Sequence, residues 1–354
     1  MPLTLEYLNK LSINNNNIVI FVSKISELKS INLPFDLKNQ INNKNIINSL
    51  KINNYIELNS IISLNKSLIN IKISLVNDSG IEAIKLGSSI YAKFDQISPN
   101  NITFIFSNFL LRNTNVTSDI ILGFLIKSYK FDKYISENKK KLTILKLKLF
   151  KYKKNSNLNY KINLYYSINF CKDLVSEPAN ILNPTTYAKK CLLLSKIGLN
   201  IKILDVRNLQ KIGMESLLSV SHGSGNEPRV VILEWNLKKN VKPIVLVGKG
   251  VTFDTGGISL KSSSGMEEMI TDMGGSAVVV ASMMNAALNK NKRSLLGIVG
   301  LVENMPDGNS QRPGDIIQSL SGQTIEVLNT DAEGRLILAD LLTYVQIKYE
   351  PKYI

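Results

Sequence analysis

At 354 residues the chain is long for one small domain and suited to two of ordinary size, and 44% apolar with 20% charged residues is the balance of a globular protein, not a disordered one. No run reaches the roughly 18 uninterrupted apolar residues of a membrane helix, and Met1-Pro2-Leu3-Thr4-Leu5-Glu6 lacks the basic-then-apolar layout of a signal peptide, so a cytoplasmic protein without a membrane segment is expected. The net charge of +15 falls mostly before residue 160, much of it in the run Lys139-Lys140-Lys141 through Lys146, Lys148, Lys151, Lys153 and Lys154; such a patch can bind nucleic acid, but Ile, Asn and Lys are over-used throughout this half, and a solvated face accounts for it.

In chain order, Ile18–Val22, Ile71–Val76 and Ile102–Phe106 read as strands with helical candidates between them, which makes residues 1–155 a small mixed α/β domain. The asparagine tract Asn14–Asn17 reads as a loop lengthened by composition. From about residue 160 the composition shifts towards Gly, Ala and Val. Tyr160–Leu174 reads as a helix running into a turn at Glu177-Pro178-Ala179-Asn180, followed by strands at Ile201–Leu204 and Val230–Leu233. Pro243–Gly248 is a continuous apolar run of the kind buried on both faces of a sheet. A long helix is expected over Met266–Lys290, strands at Leu295–Val302 and Thr324–Leu328, and a last helix from Arg335 to Lys348. This alternation predicts a three-layer α/β domain over 156–354, with a mixed sheet and helices on both faces. Glu350-Pro351-Lys352-Tyr353-Ile354 looks like a turn and the opening of a strand, so the sequence is expected to be incomplete at its C-terminus.

The cysteines Cys171 and Cys191 have no CxxC spacing, and His222 is the sole histidine, so a thiolate zinc site and HExxH chemistry are excluded and any metal must rest on other oxygen or nitrogen donors. His222 itself reads as structural or surface. Acidic and basic residues cluster where two strand patterns end: Gly248–Lys261 and Asn329–Arg335. The crevice at the carboxyl ends of α/β strands is where ligands bind. Gly256 and Gly257 can bend the first loop around a ligand. Asp254, Asp272, Asp331 and Glu333 offer four carboxylates, enough for two dications such as Mn²⁺, Mg²⁺ or Zn²⁺. Taken singly, each has an ordinary reading: Asp331 as a helix cap, Asp272 as an exposed helix residue, Glu333 and Arg335 as a surface pair, Lys249 and Lys261 as solvated lysines.

Together these residues carry a resemblance. The string NTDAEGRL at 329–336 resembles the signature of the leucyl aminopeptidase, or cytosol aminopeptidase, family, and VGKGVTFDTGGISLK at 247–261 resembles its first catalytic segment. Met266–Met273, Glu177–Asn180 and Arg312-Pro313-Gly314-Asp315 are similar to further family motifs, in order and with family spacing. The match runs from about residue 170 to the end; residues 1–155 match only in position and general pattern.

The resemblance implies a dinuclear-metal aminopeptidase acting on peptides, with leucine and other apolar first residues preferred. Asp254 and Glu333 would bridge two ions, Mn²⁺ or Zn²⁺. Asp331 would hold one of them, and Lys249 and Asp272 the other. Lysine ligates only as a neutral amine, which a neighbouring dication makes accessible. Lys261 would polarise the scissile carbonyl, and Arg335, which cannot act as a base itself, would hold a bicarbonate ion that does. Met269 matches a pocket residue for the first side chain, with core packing as its other reading. Family members continue past this point into a segment that completes the sheet and pocket and helps build a homohexamer. Two rival readings are a DNA-binding accessory protein using the basic first half, and an inactive fragment.

Overall fold

The computed structural model describes residues 3–11, 17–31, 33, 38, 41, 44–53, 55–62, 67–76, 80–95, 100–136 and 146–354. By spatial contacts the chain forms two units, Met1–Tyr165 and Tyr166–Ile354.

In the first unit the strands β1 (Thr4–Leu8), β2 (Asn17–Val22), β3 (Tyr55–Ile62), β4 (Ser67–Leu75), β5 (Asn101–Phe106) and β6 (Lys146–Phe150) form one sheet in the order β1-β6-β5-β2-β4-β3. All neighbours are parallel except β3 and β4. The three strands expected from apolar runs are β2, β4 and β5. Its helices include α1 (Lys44–Asn53), α2 (Ile81–Asp95), α3 (Asn108–Arg112) and α4 (Thr114–Lys127). Every residue of β2 is buried because the sheet is covered on both faces. Val19 and Phe21 enter one core with Phe104, Ile120 and Phe124, while Ile18, Ile20 and Val22 enter another with Leu28 and Leu50. This is the two-residue period of a strand. Asn17, expected in a loop, instead opens β2 and donates its side-chain amide to the Asn101 carbonyl at 3.3 Å. Asn14–Asn16 and the lysines Lys139–Lys141 lie outside the described residues.

The helix expected over Tyr160–Leu174 is α5 (Ser156–Ser176), a few residues longer at its start, and the division between the units falls within it: Leu158 and Tyr165 belong to the first unit's core, Leu174 to a core of the second. The second unit continues with α6 (Pro184–Leu192), β7 (Asn200–Leu204), α7 (Val206–Ile212), α8 (Glu215–Val220), β8 (Arg229–Trp235), β9 (Ile244–Asp254), α9 (Gly274–Leu288), β10 (Leu295–Asn304), β11 (Ile316–Gln318), β12 (Thr324–Glu326) and α10 (Glu333–Tyr349). Its main sheet has the order β7-β8-β10-β9 and is mixed, with β9 and β10 parallel and the other pairs antiparallel.

Alternation again sorts the side chains. Val230, Ile232, Leu296 and Ile298 pack with Leu217, Ile337 and Leu341 on one face, and Val231, Leu233, Val299 and Leu301 with Tyr187, Val280 and Met283 on the other. Helices therefore cover both faces, giving the expected three layers. One expectation is corrected: Met266–Lys290 is not a single helix but a 3-10 helix, Met266–Met273, followed by α9. Two adjacent glycines, Gly274 and Gly275, weaken helix formation at that joint. Near the end of the chain, Tyr353 makes one parallel bridge to Ile244, its carbonyl accepting from the Val245 N–H at 2.9 Å.

Candidate metal centre

The parallel strands β9 and β10 end side by side, on Asp254 and Asn304. Lys249 lies further back along β9. The loop after β9 turns through Gly256 and Gly257 at φ +89° and +68°, left-handed values that favour glycine. It returns Lys261 towards the strand end, and the Lys261 N–H closes on the Thr255 carbonyl at 2.9 Å. Asp272 comes from the 3-10 helix. Asp331 sits in a one-turn 3-10 segment, Thr330–Ala332, where the Asn329 side chain accepts from the Asp331 N–H at 2.8 Å. Glu333 is the first residue of α10, where the helix dipole favours a negative charge.

These segments converge. Lys249 Nζ lies 2.6 Å from both carboxylate oxygens of Asp272 and 2.9 Å from Glu333 Oε1. Lys261 Nζ lies 2.8 Å from Asp254 Oδ2 and also contacts Asp331 Oδ1. Ligand atoms of Asp254, Asp272 and Glu333 all fall within 4.8 Å of one another. Asp254 and Glu333 are only 3% and 2% exposed, while Asp272, Asp331 and both lysines are half-buried. Four carboxylates face two ammonium groups, an excess of negative charge that attracts cations.

Burial works against the charge on Lys249, but hydrogen bonds and attraction from Asp272 and Glu333 outweigh it and hold the ammonium above the usual lysine range. Burial also lifts the Asp272 carboxyl above the usual carboxylate range, against the pull of Lys249, and the nearby Glu333 and Asp254 charges add to the rise. Such crowding of like charges is costly unless a cation resolves it. The donor set fits a hard or borderline dication on one further observation: Glu333 Oε2 is buried and has no hydrogen-bond partner among the described residues.

The other two expected residues make none of these contacts. Arg335 lies in the first turn of α10, exposed and in no ion pair among the described residues. Met269 is half-buried and belongs to none of the hydrophobic cores of the described residues. Residues three apart eclipse on a 3-10 helix, so Met269 stands over Asp272 on the same face. Two residues escaped the sequence reading. Thr330 Oγ1 accepts from the Ser259 N–H at 2.8 Å and donates to the Gly256 carbonyl at 2.6 Å, pinning the two loops together. Asn304 contacts Asp254; its only signal was a polar residue at the end of β10, one place beyond the Glu303 that closes the apolar run.

Comparison with known proteins gives a consistent answer. The "Cytosol aminopeptidase family, catalytic domain" profile matches residues 169–354. A "Probable cytosol aminopeptidase" of Brucella anthropi is 40% identical over 296 residues, covering 77% of this chain and 56% of the relative. Proteins of the same name from Rhodopseudomonas palustris and Phytoplasma mali are 47% and 45% identical, over 66% and 68% of this chain and 48% and 50% of the relatives. The chain thus spans about half the length of the curated relatives it matches. A tomato leucine aminopeptidase variant shares the fold with a TM-score of 0.77 at 24% identity, over 98% of this chain and 72% of that one. A bottromycin maturation enzyme in complex with Mn does so with 0.72 at 22%, over 94% and 69%. With the catalytic-domain match covering about half of its length and relatives at 40–47% identity, the chain belongs to the cytosol aminopeptidase family.

Proposed function

We propose that the protein is a metal-dependent aminopeptidase that releases N-terminal residues, apolar ones such as leucine preferred, from peptides turned over in the cytoplasm. The observation that carries this reading is the convergence of Asp254, Asp272 and Glu333 within 4.8 Å, with a buried, unpartnered Glu333 oxygen among them. Asp254 and Glu333 would hold both of two ions, Asp331 one, and Lys249 with Asp272 the other. Mn²⁺ and Zn²⁺ both suit carboxylate and amine donors. When bound, such ions would supply Lewis acidity and lower the pKa of a bound water. Lys249 then serves as a neutral amine, because an adjacent dication opposes its proton.

The chain's own groups supply the rest. Lys261, between Asp254 and Asp331, is proposed to donate to the scissile carbonyl oxygen as negative charge develops there. Arg335 is proposed to hold a bicarbonate ion that takes up a proton, and Met269 to contact the first side chain. A homohexamer is proposed as the assembly. The relatives named above carry peptidase names and lend no support to a DNA-binding role. Among the described residues no helix is long and apolar enough to cross a membrane.

An aminopeptidase requires a free N-terminal amine. Leucyl-4-nitroanilide should be hydrolysed and its N-acetyl derivative left intact under the same conditions. Equal cleavage of the two would contradict the aminopeptidase assignment.

A further inference from the structure

We propose that Asn304 is a positioning residue for this centre: its side-chain amide holds the Asp254 carboxylate and the backbone leading into Asp331 in one fixed relation. The inference rests on the metal reading above. Val302 pairs with Val251 but Asn304 with Asp254, so β9 carries one more residue than β10 over this stretch. A bulge of this kind re-aims side chains, and here it brings Asp254 level with Asn304. The backbone is tied at that point, since the Asn304 carbonyl accepts from both the Thr255 N–H at 3.0 Å and the Thr255 hydroxyl at 2.9 Å.

Asn304 is 2% exposed. Its Nδ2 donates to Asp254 Oδ1 at 2.8 Å and to the Thr330 carbonyl at 3.1 Å. Both partners are acceptors, so a group with two N–H donors is required there, and a carboxylate would face two acceptors with nothing to give. Asp254 Oδ1 also accepts from the Gly256 N–H at 2.9 Å, so that oxygen is taken up by two donors and Oδ2 is the one turned towards Lys261. Thr330 immediately precedes Asp331. One buried amide therefore couples a carboxylate at a strand end to a carboxylate in a turn, two groups that reach the site from distant parts of the chain. The terminal torsion of an aspartate is broad. Without Asn304 the Asp254 carboxylate keeps the Gly256 N–H on Oδ1 and Lys261 on Oδ2 but loses its tie to the Thr330 backbone, and loss of an outer partner of a metal ligand typically costs about 10–100-fold in metal affinity or activity.

The test compares Asn304→Leu, which keeps the branching at Cγ and removes the donors, and Asn304→Ser, which leaves space for water, with Thr252→Val as a control. The Thr252 hydroxyl donates to the Val302 carbonyl at 3.2 Å in the same buried strand pair but touches no carboxylate. Binding of Mn²⁺ to chelator-treated protein is measured by calorimetry, beside thermal melts and kcat as a function of Mn²⁺ concentration. Thr252→Val should bind Mn²⁺ within about threefold of the parent. Both Asn304 variants should bind about 10–100-fold more weakly and recover part of their kcat at high Mn²⁺. An Asn304 variant that melts cooperatively and binds as tightly as the control would overturn the proposal. So would a cooperative melt in the control with none in either Asn304 variant, since the amide would then serve folding. A parent that binds no Mn²⁺ would overturn the metal reading and this inference with it.

Discussion

Asp254→Asn and Glu333→Gln should each leave the purified protein with little bound metal and with activity reduced by more than the roughly 10–100-fold expected for an outer-sphere partner. Both side chains are almost fully buried at the point where the ligand segments meet. Each substitution keeps the shape of the side chain and replaces one anionic oxygen by an amide. In Asp254→Asn the remaining oxygen is expected to stay with its two N–H donors, Gly256 and Asn304, which puts the NH₂ group where Oδ2 faces the cluster. In Glu333→Gln either the oxygen beside Lys249 or the unpartnered one is lost as a ligand. Elemental analysis after gel filtration, alongside leucyl-amide hydrolysis, measures both effects.

Lys261→Ala should behave differently: turnover falls by roughly 10²–10³, the usual cost of losing a group that stabilises a developing oxyanion, while bound metal stays near the parent value. Lys261 Nζ meets Asp254 and Asp331, whereas Lys249 meets Asp272 and Glu333, so removal of Lys261 takes a cation from the site and no donor. If all three variants lose metal equally, the division between ligands and a substrate-facing lysine is wrong.

Much of the second unit was legible because its chemistry and its periodicity coincide. The run Pro243–Gly248 has the composition of a strand buried on both faces and supplied the first five residues of β9, and Asp254 beyond it fell at the strand's carboxyl end, where a site forms. What escaped was of two kinds. Short helices went unread although their start signals were present: Asn183 caps α6 with Pro184 behind it and Thr186 completing the box, and Asp205 and Asn208 do the same for α7. The break at Gly274-Gly275 was hidden because apolar residues recur at helical spacing on both sides of it. Asn304 and Thr330 belong to the second kind. Their importance depends on which acceptors surround them in space, and the β9 bulge that brings Asn304 level with Asp254 leaves no mark on the local sequence.

Peptide hydrolysis is proposed to depend on ions held by this carboxylate cluster. The most direct measurement is release of leucine from leucyl amide by the protein as its gene encodes it, before and after exhaustive chelation with metal content confirmed as nil, and again after addition of Mn²⁺ or Zn²⁺. Activity should vanish with the metal and return with it. Hydrolysis that persists at zero metal content would contradict the assignment.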